Sequence, residues 1–165
     1  MIRRLLILLA FAALSLPVGA LAGASAGEGT LSVEEGRGRV TLEARGGVIG
    51  RIASGTVTIY DLTATDPHDP VVFGDDRSPR FVGDIGIQYG GTGVRFRISG
   101  GRWRIIVQGR GIDLSAVAKG VGSIQSDGEA GPGVYALDGA DCRRIPESCK
   151  PLPDSKKVFQ LDSTP

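Results

Sequence analysis

From Gly27 onward this chain places an apolar residue at nearly every second position, a period that restricts it to strands with one buried face. Val40, Leu42 and Ala44 alternate with Thr41, Glu43 and Arg45, and Val57 and Ile59 with Thr56, Thr58 and Tyr60. Phe81, Gly83, Ile85, Ile87 and Tyr89 keep one parity. Val94, Phe96 and Ile98 alternate with Arg95 and Arg97, and Trp103, Ile105 and Val107 with Arg104 and Gln108. No segment carries a sustained 3.6-residue apolar stripe. The 26 glycines, poor helix formers, also count against a helical domain. A single helical turn is expected over Ser115–Lys119.

Glycine supplies the reversals. Gly100-Gly101, between Phe96-Arg97-Ile98-Ser99 and Arg102-Trp103-Arg104-Ile105, predicts a two-residue hairpin turn. In that hairpin Ile98 faces Trp103 and Arg97 faces Arg104, and the separation of apolar from charged pairs fixes the register. Gly36–Leu62 and Gly91–Leu114 share an order of strand, Gly-Gly, strand, and read as two meanders with the same turn chemistry, an ancestral duplication being the alternative. About eight to ten short strands with frequent turn signals predict an antiparallel β-sandwich or small barrel. A β-solenoid is the alternative, because Gly38, Gly47 and Gly55 are spaced nine and then eight residues apart. In general look the chain resembles the Gly-rich β-domains of bacterial envelope proteins, although no motif names a family.

The first 26 residues read as a secretory leader. Arg3 and Arg4 precede an apolar run from Leu5 to Leu16, followed by Pro17, Gly19 and small-residue cleavage patterns ending at Ala22 and Ala26. The run is well short of the ~20 residues of a membrane-spanning helix. Residues 27–138 then form the Gly-rich β domain and 139–165 an extended tail, with no transmembrane span in the mature chain. Without Arg3 and Arg4 the chain has 17 basic and 18 acidic residues, a balance that gives no global attraction to nucleic acid or an anionic membrane. Cys142 and Cys149, the only cysteines, are expected to pair outside the cell and pin the tail. A structural zinc would need two further ligands, and there is one histidine in all.

Arg95, Arg97, Arg102 and Arg104 are the candidate ligand-binding residues. On one hairpin face, Arg97 opposite Arg104 costs a few tenths to ~1 kcal/mol unless a carboxylate or an anionic ligand neutralises them. Planar guanidinium groups suit bidentate contact with carboxylate, sulfate or phosphate. The partner is then an anionic envelope polymer or an acidic protein surface; the plainer reading pairs these arginines with Glu43 or Asp84. Phe96 and Trp103 belong to the buried parity and cannot stack on bases, so no nucleic-acid partner is expected.

Asp66, Asp69, Asp75 and Asp76, with His68, are the weak calcium candidates, although Pro67 and Pro70 mark a turn in which Asp is simply favoured. No metal or cofactor is otherwise indicated. Hydrolytic motifs are missing: there is no Gly-x-Ser-x-Gly elbow, and a serine triad would have to use His68. Gly109-Arg110-Gly111-Ile112-Asp113-Leu114-Ser115 lacks the ending of a phosphate loop and reads as a bulge or sheet crossing, with Asp113 or Ser115 bonding backbone. The expectation is an exported binding or structural module, secreted or periplasmic, and not an enzyme. The alternatives are a hydrolase of an envelope polymer or a protein that self-assembles through exposed strand edges.

Overall fold

The computed structural model describes residues 26–27, 29–63, 69–74, 77–137 and 139–162. Nine strands run along it: β1 (Ala26–Gly27), β2 (Thr30–Asp61), β3 (Val71–Phe73), β4 (Arg80–Val82), β5 (Gly86–Ile98), β6 (Arg102–Ser126), β7 (Val134–Ala136), β8 (Lys150–Pro151) and β9 (Lys157–Leu161). Every pairing is antiparallel except that of β1 with β9, and the sheet does not close into a barrel. No helix among the described residues is long and apolar enough to cross a membrane.

β2 and β6, at 32 and 25 residues, decide the architecture. Drawn straight, β2 would reach about 105 Å at ~3.3 Å per residue, whereas a domain of this size has a radius of gyration of only ~14 Å. The strand must therefore turn back on itself, and its pairing with β6 shows how. Val107 lies between Val40 and Val57, Ile105 between Leu42 and Ile59, and Arg104 between Glu43 and Tyr60. In each case one β6 residue separates two β2 residues 17 positions apart. The β2–β6 ribbon is thus wound as a flattened coil.

Two rows of glycines make its corners. Gly91 stands opposite Gly55, Gly55 opposite Gly109, and Gly109 opposite Gly38. All four have φ between +133° and +152°. A Cβ on Gly55 would lie 2.1 Å from the Gln108 carbonyl oxygen, and one on Gly109 2.2 Å from that of Ser54. At the second corner Gly46 lies against Ala118, and Gly120 is opposite Ala44. Gly38, Gly46, Gly55 and Gly109 are required twice over, by backbone angle and by the close approach of the neighbouring strand, and Gly120 by the close approach alone.

Between the corners lie two layers. The first runs β8, β7, the start of β2, residues 110–117 of β6, residues 47–54 of β2, the end of β5, and β3. The second runs β1, β9, the end of β6, residues 38–45 of β2, the start of β6, the end of β2, the start of β5, and β4. Leu31, Ile52, Phe96 and Ile112 from the first join Leu42, Ile59, Trp103, Ile105 and Phe159 from the second in one buried cluster. Each such side chain contributes about 1.5–3 kcal/mol by leaving water. The Trp103 indole N–H donates to the Gly46 carbonyl at 2.8 Å, so its one polar atom is satisfied.

The fold is the expected all-β sandwich, with several local corrections. Strands are not uniformly short, because the ladder continues through Gly38, Gly46, Gly55 and Gly109. At Gly100-Gly101 no hairpin forms: β5 and β6 do not pair, and residues 47–60 of β2 lie between them. The turn instead carries the chain from Ile98 in one layer to Arg102 in the other. Ser115–Lys119 is strand, since its alternate residues Ala116 and Ala118 are buried. Phe81 and Ile85 are exposed, because residues 83–85 form a turn between β4 and β5. The solenoid's parallel rungs are absent from the described residues, where the neighbours of β2 run opposite to it. The tail joins the sandwich through β8 and β9, and Leu152, Phe159 and Leu161 are buried. The leader over residues 1–26 lies outside the described residues apart from Ala26.

Candidate functional site

The four candidate arginines do not share a face. Arg102 and Arg104 lie on the outside of the second layer, where Glu43 takes both. Arg102 donates to Oε1 at 3.0 Å, and Arg104 to Oε2 at 2.9 Å through Nε and 2.6 Å through its terminal nitrogen. The Arg104 guanidinium also lies over the Tyr60 ring, 5.8 Å from its centre. Hydrogen bonds from Arg104 and then Arg102 hold the Glu43 carboxyl below the ordinary glutamate range. Arg97 does not face Arg104, and both guanidinium groups of this half of the arginine set are bonded to one carboxylate within the fold.

Arg95 and Arg97 lie on the outside of the first layer and make no ion pair among the described residues. Around them the strands build a groove of about 490 Å³. Two cross-strand rows form its floor. One runs Arg97, Ile49, Ser115, Ser32; the other runs Phe73, Arg95, Arg51, Asp113. Phe73 and Ile49 are 64% and 58% exposed, large apolar surfaces beside the Arg95 and Arg97 guanidinium groups. Phe73 stands at one end, and Asp141 and Arg143 stand at the other.

The disulfide positions that far end. Cys142 and Cys149 are bonded, with Cα atoms 5.8 Å apart. Buried Cys142 donates its backbone N–H to Ser32 Oγ at 3.1 Å, which docks the loop on the start of β2. The expected staple therefore also walls the groove.

A bulge completes the site. Val33 pairs with Leu114 and Gly36 with Ile112, so Glu34 and Glu35 together oppose Asp113. Glu35 sits at φ 53°, and its N–H donates to Asp113 Oδ1 at 2.8 Å. The other Asp113 oxygen accepts from Arg51 Nε. Glu34, Glu35 and Asp113 have carboxylate oxygens within 4.8 Å of one another. Burial, and secondly the Asp113 charge, push the Glu34 carboxyl above its usual range. The groove thus grades from arginine at the β5 end to carboxylate at the β2 end.

Of the calcium candidates, Asp69 is exposed, while Asp66, Asp75 and Asp76, with His68, lie outside the described residues. Phe96 and Trp103 are buried as their parity predicts. Asp113 bonds backbone, as expected, but that of the β2 bulge. Sequence reasoning missed Ile49, Arg51, Glu34 and Phe73. One signal existed: in Val48-Ile49 one of two adjacent apolar residues must face outward. No family model, curated protein or solved structure matches this chain.

Proposed function

We propose that the protein is an exported binding module whose first-layer groove docks an acidic polysaccharide of the cell envelope or its surroundings. One observation carries this reading: Arg95 and Arg97, free of carboxylate partners among the described residues, stand beside exposed Phe73 and Ile49 in a concave site. Guanidinium groups hold carboxylate or sulfate in two-point contacts, while an aromatic and an aliphatic side chain offer the apolar faces of a sugar ring a surface. Export is supported by the basic, apolar and small-residue order of the first 26 residues and by the disulfide.

The test is retention of the mature chain on immobilised polygalacturonate at low salt. Arg95→Ser/Arg97→Ser abolishes retention, whereas Arg102→Ser/Arg104→Ser leaves it largely intact because Glu43 already occupies those groups. Equal retention of parent and Arg95→Ser/Arg97→Ser rejects the reading.

A second reading, hydrolysis of such a polymer, is favoured by Glu34 beside Asp113. One carboxyl is raised by burial, and the other is held by Arg51 and the Glu35 N–H, a division of roles that glycoside cleavage uses. Both Asp113 oxygens are engaged, which suits binding better than attack on a sugar carbon. Release of reducing ends by the parent, lost in Glu34→Gln, would favour the enzyme.

A further inference from the structure

We infer that the ligand is a polyanion long enough to reach a second subsite at the glycine corner; the inference rests on the groove reading above. At the row of Gly38, Gly55 and Gly109 the surface holds another concavity, of about 460 Å³. Glycine leaves this row without side chains, so the flanking residues stand around a notch. Three of them are arginines: Arg37, directly opposite Arg110 across the β2–β6 ladder, and Arg39. Like charges facing each other across strands are unfavourable unless neutralised. Arg37 is held by Glu129 and by the Ala130 carbonyl, yet its Nε is buried without a hydrogen-bond partner. Arg39 and Arg110 are exposed and have no ion pair among the described residues. Asp127 and Glu129 also border the notch, which leaves it one positive charge in excess.

The notch lies beyond the groove along the strands, and no residue lines both. Arg110 and Asp113 are three residues apart on β6, as Ser54 and Arg51 are on β2, about 10 Å at the rise of a strand. Gly111, at φ 60° in the β6 irregularity beside Ala53, brings Arg110 and Asp113 both to the outer surface despite their odd separation. Two arginine-lined concavities therefore lie along one strand direction. A short acid fills one; a polymer with an acid on every repeat engages both, and the second contact is made at high effective concentration.

The experiment is calorimetric titration of the mature chain with oligogalacturonates of two and of eight units, each variant first shown to melt cooperatively. The eight-unit chain binds the parent at least ten times more tightly than the two-unit one. Arg39→Ser/Arg110→Ser removes that length dependence and leaves two-unit binding at the groove, whereas Arg95→Ser/Arg97→Ser removes two-unit binding. Length dependence that survives Arg39→Ser/Arg110→Ser overturns the second subsite and leaves the groove standing. Two-unit binding that survives Arg95→Ser/Arg97→Ser overturns the groove itself, and failure of the parent to bind either oligomer overturns both.

Discussion

Gly109→Ala is the sharpest probe of the corner. The alanine would keep a φ of +152°, a conformation that L side chains rarely adopt, at about 1–3 kcal/mol. Its Cβ would also sit 2.2 Å from the Ser54 carbonyl oxygen and 2.9 Å from the Gly55 Cα, so two bonded strands must part. Overpacking of this kind adds about 1–3 kcal/mol. The sum, centred near 4 kcal/mol, is a large share of the ~5–15 kcal/mol by which a domain is stable. With a urea slope of about 2 kcal/mol/M, the unfolding midpoint falls by about 2 M. Gly83→Ala is the matched control: φ there is +64° and a Cβ would meet nothing within 4 Å, so only the backbone term of about 1–2 kcal/mol remains. Urea unfolding followed by circular dichroism compares the two. If Gly109→Ala loses no more stability than Gly83→Ala, close approach of strands at the corner is refuted.

Glu43→Gln should lower stability by about 1 kcal/mol at pH 7, the scale of two partly exposed ion pairs. The Glu43 carboxyl titrates lower when folded, so this contribution is present above its ordinary value of 4.5 and is lost as pH falls through the depressed range; urea midpoints of parent and variant at pH 7 and in acid should converge. Glu34 has the opposite sign: its raised pKa makes the fold relatively more stable below 4.5, and that advantage fades as pH rises through the folded value. Glu34→Gln should therefore flatten the parent's stability profile across that window. Cys142→Ser/Cys149→Ser should cost about 2–3 kcal/mol from the short closed loop, and a thermal midpoint unmoved by reductant in the parent would contradict it.

The period-two pattern read the buried faces well. Leu42, Ile59, Phe96, Trp103 and Ile105 all lie inside, because a strand's faces follow from its own sequence. Partner choice does not. Gly100-Gly101 has the chemistry of a hairpin turn, but Ile98 and Trp103 point inward equally well in an arch between layers, and residues far away in β2 settle the matter. Gly46 and Gly55 do not by themselves tell a turn from a bend, because glycine permits both; only the continuing ladder to β6 distinguishes them. The arginine site divided for the same reason. Arg95, Arg97, Arg102 and Arg104 each face outward as predicted, but on opposite outsides, and the Glu43 contact was legible where the bulge that joins Glu34 to Asp113 was not.

Because the same two backbones thread both sides of the molecule, neither side can come away while the other stays whole. Amide protons at Val40 and Ile52, on opposite sides but on one strand, should become exchangeable in a single all-or-none opening, with matching protection from deuterium. A protein knitted in this way has few partly open states through which a protease could enter.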